Sequence, residues 1–584
     1  ILGGELSVLP LPRRGAIMQQ RVYGSRWQLS LRKGSMATVA ANKTSLVARA
    51  FVGVVLLVPA ALAFGLVYWY PALHVLWLSV QDAVWARPAG FVGLANYLHL
   101  LRDPVAGQAI VNTLLVVLLR LIAIVAIPAL AGWSLARQCA PLRILGRLAL
   151  SLPLLFSAPV ALGLLWQGAV LRVPFLRGLS LANPSTALPS YLLLEFLTFL
   201  GFGGALTALA LTLAWRPARP AKAVLGVLAL AAILAVLSGL EAFSLPFVTT
   251  RGGPMNRTMT LPLYIFQTAF VRLQFGRAAA PATLLLAAGA GLGLLFGLLT
   301  EALDLKLVVD RQRKQRGISW WRLLVAVPAV GLLIAPILLL YLYAAGVAFV
   351  ASEGALARAS SSLTVIAGLL DGALVPVVTI VALQLPIAYA AAVSLALVRP
   401  FGNLGSRLAS AALVACGFVP SVVTGIGLYG VVRQLGLHDT LPALGLPLLA
   451  GPVSFYILKL YFAGLREAVE QAQRAGHSAL TAFFKVAFKP SLPVAALAGA
   501  VSLLLSAQSL LWPLLVMVRR EFFPLSLQLL AANLRDPAQQ AAGAWLLLTC
   551  WGVGLLLLWW PLQALVVERL DLVAGERPPG DLEV

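Results

Sequence analysis

The 584-residue chain is 61% hydrophobic and 11% charged, with a mean hydropathy of +0.94, well outside the range of a soluble globular domain. This composition identifies a polytopic membrane protein resting in a lipid bilayer. The net charge of +23 comes without a basic patch interleaved with aromatics, which argues against a nucleic-acid partner.

Residues 1–46 read as a basic, polar tail, expected to be disordered and lacking the short apolar core of a cleaved signal. The chain opens on Ile1, so Met18 or Met36 is a candidate start. Twelve apolar stretches follow, each about as long as a hydrocarbon core of about 30 Å requires. They centre on 48–71, 109–134, 147–170, 189–214, 223–247, 278–301, 322–347, 363–396, 408–431, 443–464, 491–516 and 541–566. None alternates with period two, so the expected fold is all-α. The expected organisation is about 12 transmembrane helices as two parallel six-helix halves, 47–304 and 323–568. A basic linker, 305–322, joins them and a tail, 569–584, closes the chain.

An even number of spans puts both termini on one side. That side holds 29 of the 43 Lys and Arg against 13 on the other, so both termini are expected in the cytoplasm, with the chain in the plasma membrane. Cys139, Cys416 and Cys550 are scattered, which argues against a disulfide framework or a CxxC metal site. His74, His99, His438 and His477 are too far apart in sequence to suggest a ligand cluster. No GxxxxGK[ST] loop occurs, so ATP hydrolysis, if transport requires it, belongs to another subunit. No catalytic residue, metal or cofactor is expected.

The halves read as tandem copies. SLAR (134–137) answers SLAL (394–397), Pro159 answers Pro420, and EAFSLPFV (241–248) answers QSLLWPLL (508–515), with offsets of 260 to 267. Even-numbered halves keep one orientation and are related by an axis along the membrane normal, with a path between them. Polar residues inside the spans mark that path. Ser238, Glu241 and Ser244 share about one face, while Ser506, Gln508 and Ser509 hold the matching place. Phe243 and Trp512 are candidates for an aromatic wall beside them. The plainer alternative is that the serines let helices pack closely and that Glu241 pairs with an Arg. Arg120, Glu195 and Asp371 are treated as structural, and GAGLGLLFG (289–297) as a small-residue packing seam.

Four segments carry a family resemblance. FVGLANYLHLLRDP (91–104) with NTLLVV (112–117), and FVTTRGGPMNRTMTLPLYIFQTAF (247–270), resemble one membrane subunit of the carbohydrate (maltose-type) ABC importers. LREAVEQAQRAGHS (465–478) and SLLWPLLVMVRREFFPLSLQLL (509–530) resemble its partner subunit. The resemblance implies a fusion of both permeases, moving a sugar or sugar derivative with a cytoplasmic ABC ATPase dimer and an extracytoplasmic substrate-binding protein. It also implies that the segment before Gly252-Gly253-Pro254 lines the substrate site.

In such permeases a cytoplasmic loop docks in a groove of the ATPase. Residues 465–490 resemble it: Glu467 opens the patch, Glu470 takes the motif's Glu, Gln471 and Ala472 its alanines, and Gly476 its Gly. LREAVEQAQRA is a strong helix former, Gly476 can supply a left-handed stop, and AFFKVAFKP is expected as a second piece on the membrane surface. Ala475 replaces the usual acidic residue, and Pro490 falls one place late. The other half reads ALTLAWRPARPAKAVLG (210–226), where two prolines oppose a docking helix, so coupling is expected mostly through the second half. The rivals are a secondary transporter of the major facilitator type, whose Asp-Arg-x-Gly-Arg-Arg-like turn is not matched by ARQCAPLRILGR (136–147), and a membrane enzyme, which needs a carboxylate or His cluster that does not occur.

Overall fold

The computed structural model describes residues 48–84, 87–156, 159–172, 174–217, 220–309, 317–350, 374–533 and 552–575. The expected tail 1–46, Asp371 and Cys550 lie outside them. Among the described residues eight helices are long and apolar enough to cross a membrane, or ten if each of two bent pairs is one span. The eight are Ala48–Leu78, Pro104–Ala136, Ala187–Ala214, Ala221–Thr249, Phe275–Ala302, Leu374–Val398, Leu441–Arg474 and Ala479–Ala507. The bent pairs are Ala140–Leu155 with Pro159–Gln167, inclined by 75°, and Gly402–Cys416 with Ser421–Gln434, inclined by 83°. They fall on the third and ninth expected stretches. Pro159 opens the second helix of the first pair and Pro420 caps that of the second, places where a proline's missing N–H is no loss. The seventh stretch lies in helix Trp320–Val350 and the twelfth overlaps helix 552–565.

The chain is not wholly helical. Strands β1 (Gln81–Val84) and β2 (Arg87–Phe91) form a hairpin after the first span. Strands β3 (Leu305–Val309) and β4 (Leu570–Ala574) pair antiparallel, Leu305 facing Ala574 and Val309 facing Leu570. The expected linker and tail therefore meet and share a ladder. Short strands of five residues carry too weak a pattern to be seen within so apolar a sequence.

Packing crosses the linker in both directions. Ser394 Oγ donates to the Gly53 carbonyl (2.7 Å), and Gly427 lies against Pro71, so the first span rests on the segment 374–434. Conversely, Gln138 and Ser319 bond reciprocally at 3.0 and 3.1 Å, and Trp133 meets Trp321 edge-on, which seats helix Trp320–Val350 on helices from before the linker. The expected seam is there: Gly289, Gly293 and Gly297 face the backbone of Phe418, Ala415 and Ala411, an approach no larger residue permits.

Buried charges tie the ends of these helices. Glu568 accepts from Arg143, from Arg147 Nη1 (3.0 Å) and from Arg216 Nη2 (2.9 Å). Arg216 also meets Asp571 at 3.4 Å. Glu301 pairs with Lys459, and Arg407 lies 4.0 Å from it. Inside the bundle Arg120 Nη2 bonds Glu195 (2.7 Å), which also accepts from the Tyr191 hydroxyl (2.9 Å), so these two residues are a structural pair. Removing one partner of a buried pair strands the other's charge, so Glu568→Ala is expected to cost roughly 3–5 kcal/mol, read as a lower midpoint of unfolding in detergent. Gly293→Leu is expected to lower that midpoint as well, whereas Gly291→Leu, at a position facing open space, is expected to leave it unchanged.

Candidate functional site

Two regions carry the residues singled out by sequence: the C-terminal end of helix Pro452–Arg474 and the breaks inside the bundle. Helix Pro452–Arg474 runs ten residues past the expected span end. On it Arg466 Nε bonds Glu470 Oε1 at 2.7 Å, and Arg474 stands 3.5 Å from the other carboxylate oxygen, a ladder at four-residue spacing. Glu467 is exposed, and Ala472 is half-buried against the core.

The helix ends as its sequence requires. His477 N–H donates to the Ala472 carbonyl (3.2 Å), Gly476 N–H to that of Gln473 (3.0 Å), and Gly476 has φ +92°, the left-handed stop of a Schellman turn. Ser478 Oγ then accepts from Thr481 N–H (3.2 Å) and caps the next helix. Residues 479–490 are not a separate surface piece, as expected from their spacing, but the first turns of the long helix Ala479–Ala507, carried through a π-helical stretch at Phe483–Phe488. The result is a tight hairpin whose tip, 474–481, is exposed. It presents Leu480 and Phe484 to the surroundings at 68% and 48% exposure.

The corresponding turn before the linker differs. Helix Ala187–Ala214 stops at Trp215 and helix Ala221–Leu240 starts from Pro220, leaving a short connection with no projecting hairpin among its described residues. Its Arg216 points back, donating to the carbonyls of Leu570 (2.8 Å) and Glu568 (3.2 Å).

Inside the bundle the same break occurs twice. Helix Ala221–Leu240 ends at Glu241 (φ −94°, ψ 11°) and helix Ser244–Thr249 restarts from Phe243 (φ −113°, ψ −54°). Helix Lys489–Ala507 ends at Gln508 (φ −88°, ψ −8°) and helix Leu511–Val516 restarts from Leu510 (φ −111°, ψ −45°). Each end residue reaches a bent pair across the linker. Glu241 accepts from Ser421 N–H (2.8 Å) and Ser421 Oγ–H (2.6 Å), at the first turn of helix Ser421–Gln434. Gln508 Nε2 donates to the Leu154 carbonyl (3.2 Å), near the end of Ala140–Leu155. Glu241 thus pairs with a helix start rather than with an Arg, and a helix N-terminus favours a carboxylate.

The other residues proposed for the path are placed differently. Ser238 and Ser506 each bond a carbonyl of their own helix, at Ala235 (2.9 Å) and Leu503 (2.8 Å), and the Ser238 carbonyl accepts from Arg120. Ser244 is half-buried. Phe243 and Trp512, expected as an aromatic wall, are buried in packing: Phe243 lies 5.2 Å from Phe247 and from Phe266, and Trp512 Nε1–H donates to the Ala443 carbonyl (2.9 Å). Ser421 was not singled out by its sequence. The signal was there in Pro420-Ser421, a helix-start pair in the middle of an apolar stretch.

At the opposite end the loop around Gly252-Gly253-Pro254 is tied down. Asn112 Nδ2 donates to the carbonyls of Arg257 (2.9 Å) and Met259 (2.8 Å), and Thr260 Oγ1 to that of Ala242 (2.6 Å). Beyond the second break, Asp439 accepts from the backbone N–H groups of Arg519 and Val518, both at 2.9 Å, and from Arg519 Nε at 2.8 Å. These bonds, the backbone one from Arg519 foremost, hold its carboxyl below its ordinary range.

No protein-family model and no curated protein matches this sequence.

Glu241→Leu leaves the Ser421 amide and hydroxyl without their acceptor and is expected to destabilise by about 1–2 kcal/mol in an unfolding titration, with Glu241→Gln milder because it keeps an acceptor. A depressed carboxyl contributes above its unfolded pKa and loses that contribution as pH falls through its folded value. Amide protection of residues 518 and 519, corrected for intrinsic exchange, is therefore expected to hold from neutral pH to about 4 and to fall below it.

Proposed function

We propose that this chain is the transmembrane permease of an ATP-driven importer, built as two parallel six-helix halves around a central path for a polar solute. The observation that carries this reading is the paired breaks. Glu241 and Gln508 lie 267 residues apart, occupy the same backbone bend, and each crosses to a bent pair in the other half. Corresponding breaks that each reach across to the other half are what an axis along the membrane normal produces. Interrupted helices at such an axis bring backbone polar groups to membrane depth, where they serve a solute path rather than lipid.

The solute is a sugar or sugar derivative by the resemblance of residues 91–117, 247–270 and 509–530. Glu241, Ser421 and Gln508 supply the hydrogen-bonding groups that a hydroxylated solute requires. The Gly476 hairpin is the site for a cytoplasmic ATPase, with Leu480 and Phe484 as apolar contacts and Glu470 holding the helix between Arg466 and Arg474. A binding protein delivers the solute from outside, and the chain itself performs no chemistry.

Reconstitution in liposomes with an ABC ATPase and a solute-loaded binding protein tests this. ATP-dependent uptake is expected, strongly reduced by Gly476→Pro, which cannot adopt the left-handed stop, and less reduced by Glu470→Ala. Uptake that needs no ATPase and follows a proton gradient would instead identify a secondary transporter.

A further inference from the structure

The proposed machine has one projecting hairpin where two equivalent halves call for two, and this raises the problem of how the first half is moved. An unbroken line of close contacts joins them. Helix Pro452–Arg474, which carries the hairpin, passes β3 at Gly464, where the Leu307 carbonyl lies so near that no side chain fits between them. Strand β3 is laddered to β4 over five residue pairs. Strand β4 is gripped by Arg216, at the cytoplasmic end of helix Ala187–Ala214. Its guanidinium donates to the Leu570 carbonyl (2.8 Å), to the Glu568 carbonyl (3.2 Å) and to the Glu568 carboxylate (2.9 Å). Arg143 and Arg147 hold that same carboxylate to helix Ala140–Phe156.

We propose that the β3–β4 ladder is a transmission element, carrying movement of the Gly476 hairpin into the first half through Arg216. This rests on the permease reading above and extends it, since it assigns the first half a route to the drive of the second. Each joint is stiff for a physical reason. Gly464 meets backbone rather than a flexible side chain, the ladder cannot slip without losing every pair, and a guanidinium fork fixes direction as well as distance. Such a joint transmits rigid-body displacement, whereas a single flexible contact absorbs it. The half-buried ion pair Arg466–Glu470 lies off this line and is not needed for it. Arg216 is thus a positioning residue, acting on the solute path through helix Ala187–Ala214.

The test uses the full-length protein in liposomes with its ATPase and binding protein. In one variant Lys306→Cys and Val573→Cys, directly opposed in the ladder, are oxidised to a disulfide. A ladder that stays closed through the cycle is expected to keep uptake within about twofold of the reduced form. In a second, Arg216→Gln frees the first half from β4. Uptake is expected to fall about tenfold or more while ATPase binding and ATP hydrolysis persist, a split that general misfolding does not produce. Should Arg216→Gln not reach the membrane, Arg216→Lys keeps the buried charge without the fork and is expected to show the same split. Loss of uptake on oxidation, or undiminished uptake in the membrane-inserted Arg216 variant, overturns the proposal while the unmodified protein remains active. Absence of ATP-driven uptake in the unmodified protein overturns the permease reading and this inference with it.

Discussion

A helix that stops inside a bilayer leaves amide and carbonyl groups that lipid cannot satisfy, and each must find a partner within the protein. Much of this structure follows from that requirement. The start of helix Ser421–Gln434 is satisfied by Glu241, a carbonyl near the end of Ala140–Leu155 by Gln508, and the Ala443 carbonyl by the Trp512 indole. The carbonyls of Arg257 and Met259 are held by Asn112. In the first two cases the partner comes from across the linker, so closing a break and joining the two sets of helices are one event. The breaks thus also bind the two sets of helices together.

At the end of the bundle that carries the β3–β4 ladder, charge does the equivalent work. Glu301 lies in the last turn of a long apolar helix and Glu568 just follows another, and each reaches into the opposite set, Glu568 to Arg143, Arg147 and Arg216, Glu301 to Lys459 and Arg407. Buried ion pairs are weak evidence for stability, because desolvation offsets much of the attraction. Their value here is positional: a carboxylate shared among three guanidiniums has few arrangements that leave no charge stranded. With β3 and β4 between them, the two knots fix how the ends of the helices sit. The Gly476 hairpin projects from that platform with Val469 and Ala472 on one arm and Ala482 and Ala487 on the other packed into the same core, so its stiffness derives from the base beneath its exposed tip.

Some of the architecture was legible before any coordinates. Sustained hydropathy placed many of the helices: eight expected stretches fall on described helices of membrane length and two more on the bent pairs, because a run of about 20 apolar residues has few alternatives to a membrane helix. Gly476 as a left-handed stop was legible because a strong helix former ending at glycine encodes its own terminus. The seam at Gly289, Gly293 and Gly297 was legible because close helix approach needs small residues at four-residue spacing. Pro159 and Pro420 read in the sequence as a repeat, and only the structure shows them at bends of 75° and 83°.

What the sequence by itself determined, then, was local: which segments are helical, where they stop, which faces are small, and that Glu241 and Gln508 hold corresponding places. What only the tertiary structure decided was partnership. Glu241 meets Ser421 at a sequence separation of 180, Glu568 meets Arg143 at 425, and β3 finds β4 across most of the second set of helices. Phe243 and Trp512 turned inward to packing for the same reason, since an aromatic ring carries no mark of whether its neighbour is another ring or an open path. Periodicity and capping are read within a few residues of the chain. Contacts between distant residues depend on how all the helices pack at once, and no short window of sequence contains that information.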